Sequence, residues 1–228
     1  MNDDMREKLS GLRFFYHFGD SPFLPDDWLF GGNLIHDAWS IAVEIVADGR
    51  DQIGSLEIHT LPLGVDWDLF EMADATTTVP HWAIGDAIAF SWPRDWLVDN
   101  WQVENPPEGA SVMLVDNIEL TSEWEGWGLE PVFTAIAMHR VAQMVAHCTF
   151  ALATPVYWWQ RAEEEKYGKV VYERSLKELG FSRMKKGSGT WILPDFRTFE
   201  RQCQRIREQL KLPEHLFAPA WSERYPGV

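Results

Sequence analysis

Residues 111–131, Ser-Val-Met-Leu-Val-Asp-Asn-Ile-Glu-Leu-Thr-Ser-Glu-Trp-Glu-Gly-Trp-Gly-Leu-Glu-Pro, constrain the fold more than any other stretch. Val112 to Leu120 is rich in apolar and β-branched residues and reads as a strand. Gly126 and Gly128 punctuate it. A glycine can take φ > 0 and lets a ligand approach the backbone closely. Glu130 and Pro131 then open a long apolar run, and proline suits the first turn of a helix because its missing N–H has no intrahelical partner there. A glycine turn feeding a helix N-terminus presents free N–H groups and the positive end of the helix dipole, a ready site for an anion.

The flanking segments extend this unit. Val132 to His147 has apolar residues at helical spacing (Val132, Ala135, Ile136, Val141, Ala142, Val145), and its near-continuous apolar character predicts burial against a sheet. Cys148 to Thr154 follows as a short buried strand, so the unit reads as strand, turn, helix and parallel strand. Upstream, Ile41–Ala47 and Ile53–Leu61 flank Asp48-Gly49-Arg50-Asp51, a good hairpin signal. Leu9 to Asp37 is aromatic and turn-rich and yields no assignment. Residues 62–110, with four prolines after the acidic run Asp66 to Asp74, are too long for a plain connection and predict further short elements. Glu163 to Leu179 reads as a helix closed by Gly180. Phe181–Lys185 and Thr190–Leu193 read as a hairpin, and Phe196–Leu212 as a last, basic helix.

These residues resemble the acyl-CoA-binding motif of the GNAT superfamily, the GCN5-related N-acetyltransferases. That pattern is a strand ending in an apolar residue, then Pro-x-x-Arg-Gly-x-Gly-x-Gly or Ala, then a helix. Leu120 matches the strand end, and Gly126 and Gly128 match the first two glycines. Ser175-Leu176-Lys177-Glu178-Leu179-Gly180-Phe181 is similar to the family's Tyr-Glu-Lys-Leu-Gly-Phe entry into its last strands. The resemblance covers about residues 41–61 and 111–193. It implies an α/β fold of the α+β kind, with a mixed, mostly antiparallel central sheet flanked by helices. It further implies one domain over residues 1–195 with an insertion at 62–110 before the acyl-CoA strand, and a helical extension over 196–228.

The same resemblance implies acyl transfer from acetyl-CoA or another acyl-CoA, as co-substrate and without a metal, to an amine of a small molecule or a protein. The backbone of Glu125, Gly126, Trp127, Gly128, Leu129 and Glu130 would hold the pyrophosphate. The backbone of Ile118, Glu119 and Leu120 would hold the thioester arm. Glu119, between two apolar strand residues, is the candidate base, with a solvent-facing strand residue as the plain alternative. The family's leaving-group acid is a tyrosine at the position of Leu176. Tyr172, one helical turn earlier, is the candidate substitute, and helix packing explains it equally. Glu125 and Glu130 depart from the motif, where the family has Arg or Gln and Gly or Ala. A carboxylate about 5 Å from a pyrophosphate costs about 1 kcal/mol or more. A GNAT-like binding or regulatory module that has lost catalysis is therefore the rival reading.

Charge narrows the partners. Residues 1–131 hold 25 of the 35 acidic and five of the 20 basic residues, a balance of −20, and the remainder balances at +5. An acidic chain repels phosphate backbones, so nucleic acid is not expected as a partner. The asymmetry suits an acidic CoA on the basic half and a cationic amine on the acidic half, or serves solubility alone. Two cysteines and seven scattered histidines give neither a disulfide framework nor metal-ligand spacing. The N-terminus lacks the apolar core of a signal peptide and no run reaches spanning length, so a cytoplasmic protein without a membrane partner is expected. A homodimer is admitted. The 13 tryptophans fit either packing or an aromatic-lined pocket or interface.

Overall fold

A computed structural model describes residues 3–20, 39–47, 51–62, 111–115, 118–125, 127–145, 148–153, 173–183 and 191–218. Among them, helix α1 (Asp3–Ser10) leads into strands β1 (Arg13–Asp20), β2 (Trp39–Ala47), β3 (Asp51–Pro62), β4 (Ser111–Val115) and β5 (Glu119–Leu120). Helix α2 (Glu130–Met144) follows, then β6 (Cys148–Ala153), β7 (Ser182–Arg183), β8 (Trp191–Leu193), helix α3 (Phe196–Leu210) and a 3₁₀ turn, Glu214–Phe217. Residues 173–178 are also helical. The eight described strands form one sheet in the order β1-β2-β3-β4-β6-β8-β7, with β5 also on β3. Every pair is antiparallel except β4 and β6, which α2 joins in parallel. This is the mixed, mostly antiparallel sheet flanked by helices that the sequence predicts.

Two elements differ from expectation. The unassigned N-terminal segment supplies an edge strand, β1, paired along its length with β2. Its aromatic residues alternate between faces: Phe14 is buried while Phe15 is 43% exposed. Apolar residues on both faces erase the period-two contrast by which a strand is recognised. The predicted strand 112–120 is two pieces on the same neighbour. Val115 pairs with Ile58 and Glu119 with Ser55. Three residues separate the first two and two separate their partners, so the segment between the ladders is one residue longer than that of β3.

The core follows from strand alternation. Phe14, Ile45, Val43, Ile41, Leu56, Ile58, Met113, Val115, Ala151, Ala153 and Leu193 share one face by register and belong to one buried cluster. Helix α2 covers this face. Phe133 meets the Phe14 ring edge-on at 6.1 Å and Trp124 at 6.2 Å. The outer side of α2 is covered in turn by the C-terminal segment. Phe199 and Leu216 are fully buried, Arg140 Nε donates to the Ala218 carbonyl at 2.7 Å, and His139 packs on Phe217. Burial on both sides explains why α2 is apolar nearly all round. Asp195 caps α3 by accepting from the Arg197 N–H. Among the described residues no helix is long and apolar enough to cross a membrane. Residues 63–110 of the expected insertion, Gly126, Tyr172 and residues 219–228 lie outside the described residues.

Candidate functional site

The parallel pair β4–β6 and the helix between them set the geometry. The ladder runs from Ser111 opposite Cys148 to Val115 opposite Ala153. Beyond it, β5 continues along β3, and its other edge has no strand partner among the described residues. An extended ligand can hydrogen-bond to such an edge as a further strand would. Gly54 makes the approach of β5 to β3 possible. A Cβ at Gly54 would lie 2.6 Å from the Glu119 carbonyl oxygen and 2.6 Å from Leu120 Cδ2.

The turn after β5 is held by local hydrogen bonds. The Thr121 N–H donates to Ile53, and the Thr121 carbonyl accepts from the N–H groups of Trp124 and Glu125 at 2.8 and 3.0 Å. The Glu125 amide is therefore spent inside the turn, although the motif places it in the phosphate cradle. Trp127, Gly128, Leu129 and Glu130 make no backbone N–H donation among the described residues, and the N-cap position Leu129 has no side-chain cap. Gly128 takes φ +70, the left-handed region that favours glycine. The exposed Trp127 indole is oriented by a hydrogen bond to the Glu123 carbonyl at 3.1 Å. The two departing carboxylates are not equivalent. Glu125 is exposed, whereas Glu130 is half-buried with Oε2 buried and unpartnered among the described residues.

Of the other residues singled out by sequence, Ile118 is half-buried, Leu120 is buried in the core cluster, and Glu119 is exposed. Glu119 pairs with Ser55, so it lies on the sheet face turned away from the core. Leu176, at the position of the family's tyrosine, is fully buried. Both cysteines are poor nucleophiles: burial pushes the Cys148 and Cys203 thiols up to about 12, leaving almost no thiolate at neutral pH.

The face away from the core carries a cluster that the sequence does not reveal. Ser40 stands opposite His59, and Glu57 is two residues from His59 on β3, so all three share that face. Ser40 Oγ donates to Glu57 Oε1 at 2.7 Å, and His59 Nε2 lies 3.7 Å from the same oxygen. The His59 side chain is fully buried and that of Glu57 is 40% exposed. On the neighbouring strands His17 Nε2 lies 3.5 Å from Glu44 Oε2. Alternating polar residues on β2 and β3 were the only signal, and they look the same as any solvated strand face. Among the described residues no group of three or more His, Cys, Asp and Glu side chains is placed to hold a metal ion.

No family model matches the chain, and no curated protein matches it. Among solved structures the fold is similar to that of an uncharacterized protein from Bacillus halodurans. The identity is 10%, covering 89% of this chain and 94% of that one, with a TM-score of 0.42. It is also similar to AtaT complexed with acetyl-methionyl-tRNAfMet, at 10% identity over 83% of this chain and 98% of that one, with a TM-score of 0.35. Likeness at this level assigns no role to any residue.

Proposed function

We propose that this protein is an acyl-CoA-dependent N-acyltransferase of GNAT-like fold, moving an acetyl group from CoA to an amine of a small molecule or protein. The observation that carries this reading is the N-terminus of α2, which has no side-chain cap and whose Trp127, Gly128, Leu129 and Glu130 N–H groups make no backbone donation among the described residues, after a β5 edge that has no strand partner among them. Free amides at the positive end of a helix suit a pyrophosphate. The open edge at Ile118, Glu119 and Leu120 suits the amide-bearing arm of CoA, which hydrogen-bonds as a peptide does. Holding the thioester there would place its carbonyl against backbone donors, where charge develops during transfer. The exposed Trp127 ring offers a stacking face for a base. The base and leaving-group acid that the family resemblance alone implies are Glu119, on the solvent face, and Tyr172, which lies outside the described residues.

A second reading has its own observation. The Glu130 carboxylate sits in the first turn of α2 with one oxygen buried, so the helix dipole already has an anion built into the chain. On that reading the domain is a silent relative that binds a partner. Glu125, exposed and with its amide turned inward, weighs less against CoA than Glu130 does.

Calorimetric titration with acetyl-CoA and with free CoA, at low and moderate salt, separates the two. Micromolar binding of both supports the acyltransferase. No heat at millimolar ligand, with binding gained on Glu130→Gly alone or with Glu125→Arg, identifies the silent module.

A further inference from the structure

We propose that Glu57 is the general base that deprotonates the incoming amine, with Ser40 and His59 positioning its carboxylate; this rests on the acyltransferase reading above. Three observations converge on Glu57. The first is its place in the sheet. Leu56 and Glu57 are the two β3 residues between the ladders to β4 and β5. That is where β4 stops pairing with β6 among the described residues, and where the thioester arm would lie.

The second is how the carboxylate is held. Ser40 Oγ and His59 Nε2 both approach Oε1. Oε2 takes no hydrogen bond among the described residues, and the side chain is 40% exposed. One oxygen is anchored and the other is left for a ligand. The order of the three groups matters. A nucleophilic serine needs the imidazole between hydroxyl and carboxylate, so that the ring can take the hydroxyl proton. Here the carboxylate lies between hydroxyl and imidazole, so Ser40 is not activated and the carboxylate is the group presented for proton transfer.

The third is the boundary on which the cluster sits. His59, Val112, Leu114 and Ile192 are buried on this face, while His17, Glu44, Glu57 and Glu119 are open. Glu57 is therefore backed by a sequestered imidazole and fronts an open surface. The exposed Glu119 carboxylate on the same face attracts a cationic amine to it.

The step balances without a further reactant. The ammonium form of the amine gives one proton to Glu57 Oε2. The freed nitrogen lone pair attacks the thioester carbonyl carbon, forming the C–N bond. The C–S bond breaks with its electron pair on sulfur, and the adduct nitrogen passes its surplus proton to that sulfur, yielding amide and thiol. Glu57 then returns its proton to water.

The test compares wild type with Glu57→Gln, Glu57→Asp, His59→Gln and Glu44→Gln. Acetyl-CoA binding is measured by calorimetry, and thiol release from acetyl-CoA is measured with n-butylamine and with spermidine as acceptors. Glu57→Gln should lower kcat by about 100-fold or more with acetyl-CoA affinity unchanged. Glu57→Asp, which keeps the charge, should recover part of that loss. His59→Gln should lower kcat by roughly tenfold without moving the KM for acetyl-CoA, the mark of a positioning residue. Glu44→Gln makes the same charge change on the same face and should keep kcat within about threefold. If Glu57→Gln does not fold, unimpaired turnover by Glu57→Asp and His59→Gln overturns the proposal in its place. Equal kcat in Glu57→Gln and wild type also overturns it, as does acetyl-CoA binding with thiol release no faster than the uncatalysed reaction. No acetyl-CoA binding by the wild type overturns the acyltransferase reading itself, a different result.

Discussion

The two faces of the sheet are built from the same strands and differ most sharply on β2 and β3. On β2, Ile41, Val43 and Ile45 are fully buried beneath α2, while Ser40, Ala42 and Glu44 between them are partly or fully exposed. On β3, Leu56 and Ile58 face the core, while Ser55, Glu57 and His59 face away. One face removes apolar area from water and sets the register, because a slip of one residue would exchange the faces. The other face carries the carboxylates, with Glu44, Glu57 and Glu119 at least partly open to solvent, and buries the His59 imidazole beside them. Labour is divided at single-residue spacing: a packed core face fixes which polar residues its reverse side brings together.

The largest expected effect tests the core face. Phe133→Ala would open a cavity beneath Phe14 and Trp124 and cost about 3–5 kcal/mol, read as the shift in a urea unfolding curve. An effect under about 1 kcal/mol would mean that α2 does not hold the sheet.

Gly54→Ala tests the seam between the faces. The added methyl meets the Glu119 carbonyl at 2.6 Å, a backbone atom that cannot swing aside. A loss of about 1–3 kcal/mol is expected, together with faster amide exchange at Glu119 and Leu120. Unchanged exchange at both would show that β5 is not docked there.

Asp195→Ala tests a cap at the end of the core layer. Burial alone raises the Asp195 carboxyl, but the hydrogen bonds from the Arg197 N–H and side chain and from Thr198, with the Arg197 charge, hold it below its ordinary value. A depressed folded value means stability present above the unfolded value of about 4 and lost as pH falls through the folded value. The substitution should cost about 1 kcal/mol at pH 7. The gap between variant and wild type should narrow as pH falls below the unfolded value of about 4. A gap constant down to pH 2 would assign the effect to something other than the carboxylate.

The smallest effect tests the open face. Glu44→Gln should leave stability within about 0.5 kcal/mol, since the His17–Glu44 contact is solvent-exposed. A loss comparable to that of Phe133→Ala would erase the distinction between the faces.

The sequence by itself determined the local units of the fold. Apolar alternation in 41–47 and 53–61 with the Asp-Gly turn between them marked a hairpin, the glycine turn at 126–128 and the all-round apolar helix after Pro131 marked a parallel strand pair, and their union in one mostly antiparallel sheet was what the GNAT resemblance implied. These are local signals, carried by period, propensity and turn chemistry, and they survive in a single chain. Only the tertiary structure decided the rest. The extra residue between β4 and β5 is visible only when both strands are counted against β3. The double burial of α2 requires the C-terminal segment to fold back over it, with Arg140 reaching Ala218. Glu125 and Glu130 look alike in sequence, yet one amide is turned inward and one carboxylate is buried. Ser40, Glu57 and His59 are separated by up to 19 residues and meet because β2 and β3 pair in one register. Strand registry is a long-range property, set by which face the core accepts, and no local pattern encodes which polar residues it brings together.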